Sequence, residues 1–408
     1  MPSAVRTAIV GTGHRAQLFT EGLAKRDGYD VVALCDPNSV RMAFHNRMLL
    51  AAGRRTAHLW PPARYDEMLR VERVELVVVT SVDATHDRYI EAALRAGVRV
   101  ICEKPMTTDA VKAQSILDTV RETGGSLSVA YNYRFNPVHR RVRQLLAEGA
   151  IGRVHSVHFE WMLDVSHGAD YFRRWHRDKS NSGGLMVHKA SHHFDLVNWW
   201  LGAEPQTVYA RGQLAFYGPD HEHGYARDYV RAHGSSDAVD DPFALQLADN
   251  ATMRDLYLDA EGEDGYYRDQ NVFAPGVSIE DDMAVLVSYD TGATMTYHLT
   301  AYSPVEGYRV MFNGSGGRLE LNVEESTFTS IILRPLWSEP VDHTVEHDHE
   351  GHGGADPRVL AALLDGEETE GAEVADARQA ALALVTGLAA NRSFETGQPV
   401  KTADLLKW

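Results

Sequence analysis

Cysteine is nearly absent: Cys35 and Cys102 are the two thiols in 408 residues, each near the end of an apolar stretch. So few thiols exclude a disulfide framework and predict two buried side chains of a reducing compartment. Long apolar runs are missing as well, and nothing approaches the roughly 20 residues that a membrane-spanning helix requires. Positive charge is in deficit, with 40 Lys and Arg against 57 Asp and Glu and a formal net charge of −17. That excess repels nucleic acid and anionic membrane over the whole surface, leaving small molecules as the expected partners. The stretch before the first apolar strand is too short for a secretory leader, so a cytoplasmic location is expected.

What is present is apolar material for more than one core. With 44% hydrophobic residues over this length, two domains are expected. Apolar strands near 5–10, 30–35, 55–59, 74–79, 98–102 and 126–130 alternate with helical stretches, a rhythm that requires crossovers and a parallel, doubly wound sheet. The runs at 74–79 and 98–102 are almost wholly apolar, as in strands covered on both faces. After Tyr131 the pattern changes to a helix near 138–148, a strand near 153–161, a helix near 184–201 and hairpins at 283–300 and 308–323. In the first hairpin, which turns at Asp290-Thr291-Gly292, polar Thr294, Thr296 and His298 alternate with Met295, Tyr297 and Leu299. That is an antiparallel sheet with one wet face. The expected fold is therefore α/β, with a nucleotide-binding domain at 1–130 and a substrate-binding and oligomerisation domain at 131–375 carrying an open, mainly antiparallel sheet. A C-terminal helix and tail at 376–408 pack back on the first domain. Two irregular stretches, 218–275 and the His-rich 339–356, predict lids or interaction arms.

The chemistry begins at Gly11-Thr12-Gly13-His14-Arg15-Ala16, a glycine fingerprint between a strand and a helix that suits a Rossmann dinucleotide site. Asp36 ends the second strand about 20 residues further on, where a carboxylate accepts the ribose hydroxyls. A 2′-phosphate there would meet its charge, which favours NAD over NADP, although Arg41 stands close by and tempers this. Thr80, Ser81 and His86 follow the fourth strand, and Glu103-Lys104-Pro105 follows the fifth, both at the edge where open parallel sheets bind ligands. His86 suits either packing or cofactor contact. Pro105 holds Lys104 extended and so fixes where its ammonium points.

The densest reactive segment is 183–195, Gly-Gly-Leu-Met-Val-His-Lys-Ala-Ser-His-His-Phe-Asp. As one helix it would place His188, His192 and Asp195 on one face and Lys189, His193 and Leu196 on the next stripe. Asp195 is expected to fix the helix. His188 and His192 form half of a zinc pattern, but Lys189 stands where a metallohydrolase carries Glu, so no metal is expected. Trp161, Trp175, His176 and Arg177 could form a sugar-stacking wall; Trp175 suits core packing equally.

Together, the fingerprint, Glu103-Lys104-Pro105, the run Tyr131-Asn132-Tyr133-Arg134-Phe135 and the segment 183–195 resemble the Gfo/Idh/MocA oxidoreductase family over nearly the whole chain. The resemblance implies NAD(P) on the first domain, an active site between the domains, and oxidation or reduction of a secondary alcohol on a sugar, inositol or similar polyol by a homodimer or homotetramer joined through the C-terminal sheet. By position it makes Lys104 the active-site lysine and His192 the histidine that exchanges the hydroxyl proton, with Lys104 stabilising negative charge on the alcohol oxygen. The cofactor contacts it implies are Gly11, Thr12, Gly13, His14, Arg15, Asp36, Thr80, Ser81, His86, Glu103, Lys104 and Asn132. The substrate contacts are Lys104, Arg134, Trp175, Arg177, His188, Lys189, His192, His193 and His352. The chain departs from the pattern at His188, where many relatives carry Asp. Either His188 acts on substrate directly or another carboxylate does the orienting. The variant His-Lys-x-x-His-His looks like a subgroup acting on glycosides or larger sugars. The competing functions are an NAD-dependent glycosidase working by transient oxidation and elimination, a metal hydrolase, and a non-catalytic NAD sensor.

Overall fold

The computed structural model describes residues 4–219, 223–325, 327–346, 351–369 and 371–408, the side chains at 351 and 352 excepted. The first sheet holds six parallel strands, with a seventh, antiparallel one at its edge: β1 Val5–Val10, β2 Tyr29–Cys35, β3 His58–Trp60, β4 Leu76–Val79, β5 Arg99–Cys102 and β6 Leu127–Val129 are the parallel six. They lie in the order β3-β2-β1-β4-β5-β6, all parallel. The chain reverses its winding between β1 and β4, so the loops leaving these two strands open the ligand crevice. Every residue of β4 is buried, which is why its sequence does not alternate. Cys35 and Cys102 are free, buried thiols at strand ends, and burial pushes the Cys35 thiol up to about 12.

The second sheet is formed by β7 Val154–Asp164, β8 Pro205–Gln213, β9 Asp282–Tyr289, β10 Thr294–Ser303, β11 Gly307–Gly314, β12 Gly317–Glu324, β13 Phe328–Pro335 and β14 Val341–Asp342, with β16 Val400–Lys401 at one edge; β15 is Ala375–Asp376. The order is β14-β13-β12-β11-β7-β10-β9-β8-β16, antiparallel throughout except for the parallel pair β7 and β10. Met295, Tyr297 and Leu299 of β10 face the core while Thr294, Thr296 and His298 face outward, as the alternation requires. The helix Ser191–Leu201 covers the inner face, burying Phe194, Leu196, Val197 and Trp200 against Val208, Met283, Val285 and Leu299.

The helix Ala377–Thr396 starts at a reciprocal cap between Asp376 and Gln379 and spans both cores. Its first turns pack Ala380, Ala381 and Leu384 with the parallel sheet, and Ala389 and Ala390 pack with the second. At Gly387 a methyl group would lie 2.3 Å from the Met186 carbonyl oxygen, so this helix backbone presses directly against the segment before His188.

The sequence-based boundary at 375 differs from the observed cores. The helix Gly351–Leu360 packs Ala355, Val359 and Leu360 with Ile9, Phe19 and Leu23, and β15 adds antiparallel to β6. The chain therefore returns to the first domain well before the final helix. Short periodic stretches of this kind do not show which core they join.

Candidate active site

The fingerprint loop is tightly constrained. Gly11 has φ +83°, and a methyl group there would lie 2.4 Å from the Ser81 backbone, so the loops after β1 and β4 touch through main chain and only glycine fits. Thr80 Oγ1 donates to the Gly11 carbonyl at 2.6 Å, closing the same contact. Asp36 accepts from the Thr12 amide at 2.7 Å and the Asn38 amide at 2.9 Å, which fixes its carboxylate at the end of β2. Thr12 Oγ1 is buried with no hydrogen-bond partner among the described residues. This open polar atom, the glycines beside it and the Asp36 carboxylate suit a dinucleotide.

Several predicted cofactor residues belong to one network. Arg15 Nε donates to Glu103 at 2.5 Å, and its other two nitrogens donate to Asp356 at 3.1 and 3.2 Å. Asn132 Nδ2 donates to the same Asp356 at 2.6 Å. Asp356 was missed from sequence; its position just after Gly353-Gly354, within the helix Gly351–Leu360, was the available signal. His86 is buried between the Pro105 carbonyl at 2.9 Å and the Ser81 carbonyl at 3.0 Å, and burial lowers its pKa. Of the two roles left open for it, the geometry gives the tie between loops.

Lys104 precedes a cis peptide to Pro105 and its Nζ donates to the His188 carbonyl at 3.1 Å. Burial pulls its pKa down to about 8, against the opposing pull of Asp83 and Glu103. His188 Nδ1 lies 2.5 Å from Asp83 Oδ2, so the carboxylate that partners this histidine comes from the loop after β4. Burial drives the pair toward neutrality, raising Asp83 and lowering His188. His176 stands edge-on to His188 with ring centroids 4.1 Å apart, and half-buried Trp175 stacks on His176 at 3.5 Å.

Candidate ligand atoms of Asp83, His176 and His188 lie within 4.8 Å of one another, close enough for a cation. The charges of Lys104 and Arg174 act on both histidines and that of Lys189 on His188, however, and a divalent cation would have to overcome that repulsion.

The segment 184–201 is not one continuous helix, which corrects the expected faces. Leu185–His188 and Ser191–Leu201 are separate helical pieces. Across the break the Ala190 amide donates to the Leu185 carbonyl, five residues back, and the His192 amide to the Lys189 carbonyl, three residues back. The phase slips, so His188 turns toward Asp83 while His192 stacks on Tyr133 at 4.4 Å. Lys189 Nζ lies 4.8 Å from the Trp161 ring centre and burial lowers its pKa.

Four residues expected to touch substrate or form the sugar wall have other partners. His193 is fully buried, bonded to the Tyr297 hydroxyl at 2.7 Å and stacked on Trp161 at 3.9 Å. Trp161 itself is core, stacked on Tyr308. Arg134 gives two hydrogen bonds to Asp195, at 2.8 and 2.7 Å, and so locks the 131–135 run onto the helix Ser191–Leu201. Arg177 donates to the carbonyls of Asn271, Ala274 and Pro275, holding the end of the 218–275 excursion. His352 lies on the helix Gly351–Leu360 with its side chain outside the described residues, as are His347 and His349.

The site thus combines a dinucleotide cleft with a half-buried ammonium, an Asp–His pair and a stacked imidazole at the carboxyl edge of the parallel sheet. Residues 5–131 match the description "Oxidoreductase family, NAD-binding Rossmann fold", and residues 143–402 match "Oxidoreductase family, C-terminal alpha/beta domain". An oxidoreductase of Bacillus subtilis (strain 168), YteT, is 34% identical over 88% of this chain and 88% of its own length. An inositol 2-dehydrogenase of Rhizobium meliloti (strain 1021) is 28% identical over 55% of this chain and 62% of its own. The fold is shared with an Agrobacterium radiobacter oxidoreductase solved with NAD+, L-tartaric acid and magnesium, at TM-score 0.67 and 17% identity over 98% of this chain and 99% of that one. With both halves matched in order and one relative similar along most of its length, the chain belongs to the Gfo/Idh/MocA family of oxidoreductases.

Proposed function

We propose that the protein is an NAD-dependent dehydrogenase that transfers a hydride between a secondary hydroxyl of a sugar or glycoside and nicotinamide. The observation that carries this reading is the half-buried Lys104 ammonium at the carboxyl edge of β5, bonded to the His188 carbonyl beside the dinucleotide cleft. A bound nicotinamide supplies the hydride acceptor or donor. Lys104 hydrogen-bonds the alcohol oxygen and holds the negative charge that develops there. His192, braced by Tyr133, takes the hydroxyl proton, since an alcohol is too weak an acid to release it unaided. Trp175, half-buried beside His188, offers an apolar face for a sugar ring. The name of the inositol 2-dehydrogenase relative supports a polyol-like substrate.

Because protonated Lys104 is the working form and its pKa is brought down to about 8, kcat/KM for alcohol oxidation is expected to decline as pH rises through that value. A pH profile measures this, and Lys104→Arg should move or abolish the alkaline limb. A profile still rising well past pH 9 would exclude the lysine from this role.

A second reading, an NAD-dependent glycosidase, is favoured by one observation. The His188–Asp83 pair beside Lys104 is a second proton-handling unit that a simple dehydrogenase does not require. Released aglycone without accumulating NADH would select it.

We infer a homodimer or homotetramer joined through the outer face of the second sheet. That face holds a groove of about 470 Å³ lined by Tyr209, Leu286, Thr296, His298 and Met311, and Leu286 is 48% exposed. Leu286→Glu is expected to shift the protein toward monomer in light scattering without lowering its helix content. An unchanged mass would place the interface elsewhere.

A further inference from the structure

The excursion between β8 and β9 crosses from the second domain onto the adenosine end of the dinucleotide cleft. The Tyr257 hydroxyl accepts from the His14 amide of the fingerprint at 3.0 Å, and Asn38 Nδ2 donates to the Ala260 carbonyl at 2.8 Å. The next residues bring two carboxylates. Glu263 accepts from the Ser39 amide at 2.5 Å and from Ser39 Oγ at 2.6 Å. Asp264 pairs with Arg41, whose guanidinium also lies 3.5 Å from Asp36.

Ser39 and Arg41 start the helix that follows Asp36, and their amide, hydroxyl and guanidinium are the donors that a phosphate on the ribose 2′-oxygen would use. We propose that Glu263 and Asp264 set the dinucleotide preference by occupying those donors, standing where a 2′-phosphate would otherwise bind. Arg41, which taken alone would favour NADP, is thereby neutralised by a residue more than two hundred positions away in sequence. A 2′-phosphate brought to this corner faces Asp36, Glu263 and Asp264 and finds all three donors taken, whereas two free ribose hydroxyls can still donate to Asp36. Preference for the unphosphorylated dinucleotide thus depends on a segment outside the nucleotide-binding domain. The inference rests on the reading that NAD is the cofactor.

Isothermal titration calorimetry of the full-length protein with NAD and with NADP tests it, comparing wild type with the double variant Glu263→Gln/Asp264→Asn. The ratio of the NADP to the NAD dissociation constant is expected to fall at least about tenfold in the variant, because two repelling carboxylates are removed and the charge-assisted hold on the Ser39 and Arg41 donors is weakened. If that ratio stays within about twofold while wild type binds NAD more tightly, the inference is overturned and the cofactor reading stands. If wild type binds NADP as tightly as NAD, or binds neither, both fall. Should the double variant melt early by circular dichroism, Asp264→Asn alone carries the same comparison, with the same direction required.

Discussion

Lys104→Met is expected to lower kcat by about 10²–10³-fold while leaving dinucleotide affinity within a few-fold of wild type. The side chain is half-buried and its ammonium lies at the His188 carbonyl, where it can meet a substrate oxygen but not the adenosine end of the cleft. Methionine retains most of the volume, so the change removes charge and hydrogen bonding without opening a cavity. Steady-state turnover with calorimetric cofactor binding separates the two effects. A variant keeping more than about a tenth of wild-type kcat would remove Lys104 from the chemistry, since a charge that stabilises the transition state contributes more than tenfold.

The largest stability effect is expected at Arg134. Its guanidinium and the Asp195 carboxylate have side-chain exposures of 3% and 1%, and together they join the 131–135 run to the helix bearing His192. Arg134→Met strands a buried carboxylate, and breaking such a pair costs about 3–5 kcal/mol. Urea unfolding measures the loss. Adding Asp195→Asn should recover part of it, because the uncompensated charge is removed. A loss below about 1 kcal/mol would mean that the pair is not what holds these elements together.

The fold was legible where periodicity is local. Five of the six parallel strands and both hairpins follow from apolar runs and alternation, because burial on two faces or one imposes those patterns directly; the strand expected at 55–59 is the three residues His58–Trp60, two of them exposed. Parts of the candidate site were legible: Gly11, Asp36 and Lys104 follow the carboxyl ends of β1, β2 and β5, as the motifs imply, and His188 is tied to the loop after β4. Their partners were hidden. Asp83 meets His188 across 105 positions, and Asp356 meets Arg15 across 341. No local pattern reports such pairings. His193 and Arg134 carry the same side chains as ligand-binding residues, and only packing shows that Tyr297, Trp161 and Asp195 take them up. The break at Lys189-Ala190 was invisible because the helical period runs unbroken through the sequence while the hydrogen bonds do not.

The central claim, net hydride transfer from a sugar hydroxyl to NAD, is tested most directly by following absorbance of the reduced cofactor during a screen of free sugars and glycosides, with product measured in parallel. NADH is expected to accumulate in step with a keto product, one for one, and at least about a hundredfold more slowly with Lys104→Met. Substrate consumed with no growth of NADH, or equal turnover by the lysine variant, would contradict it.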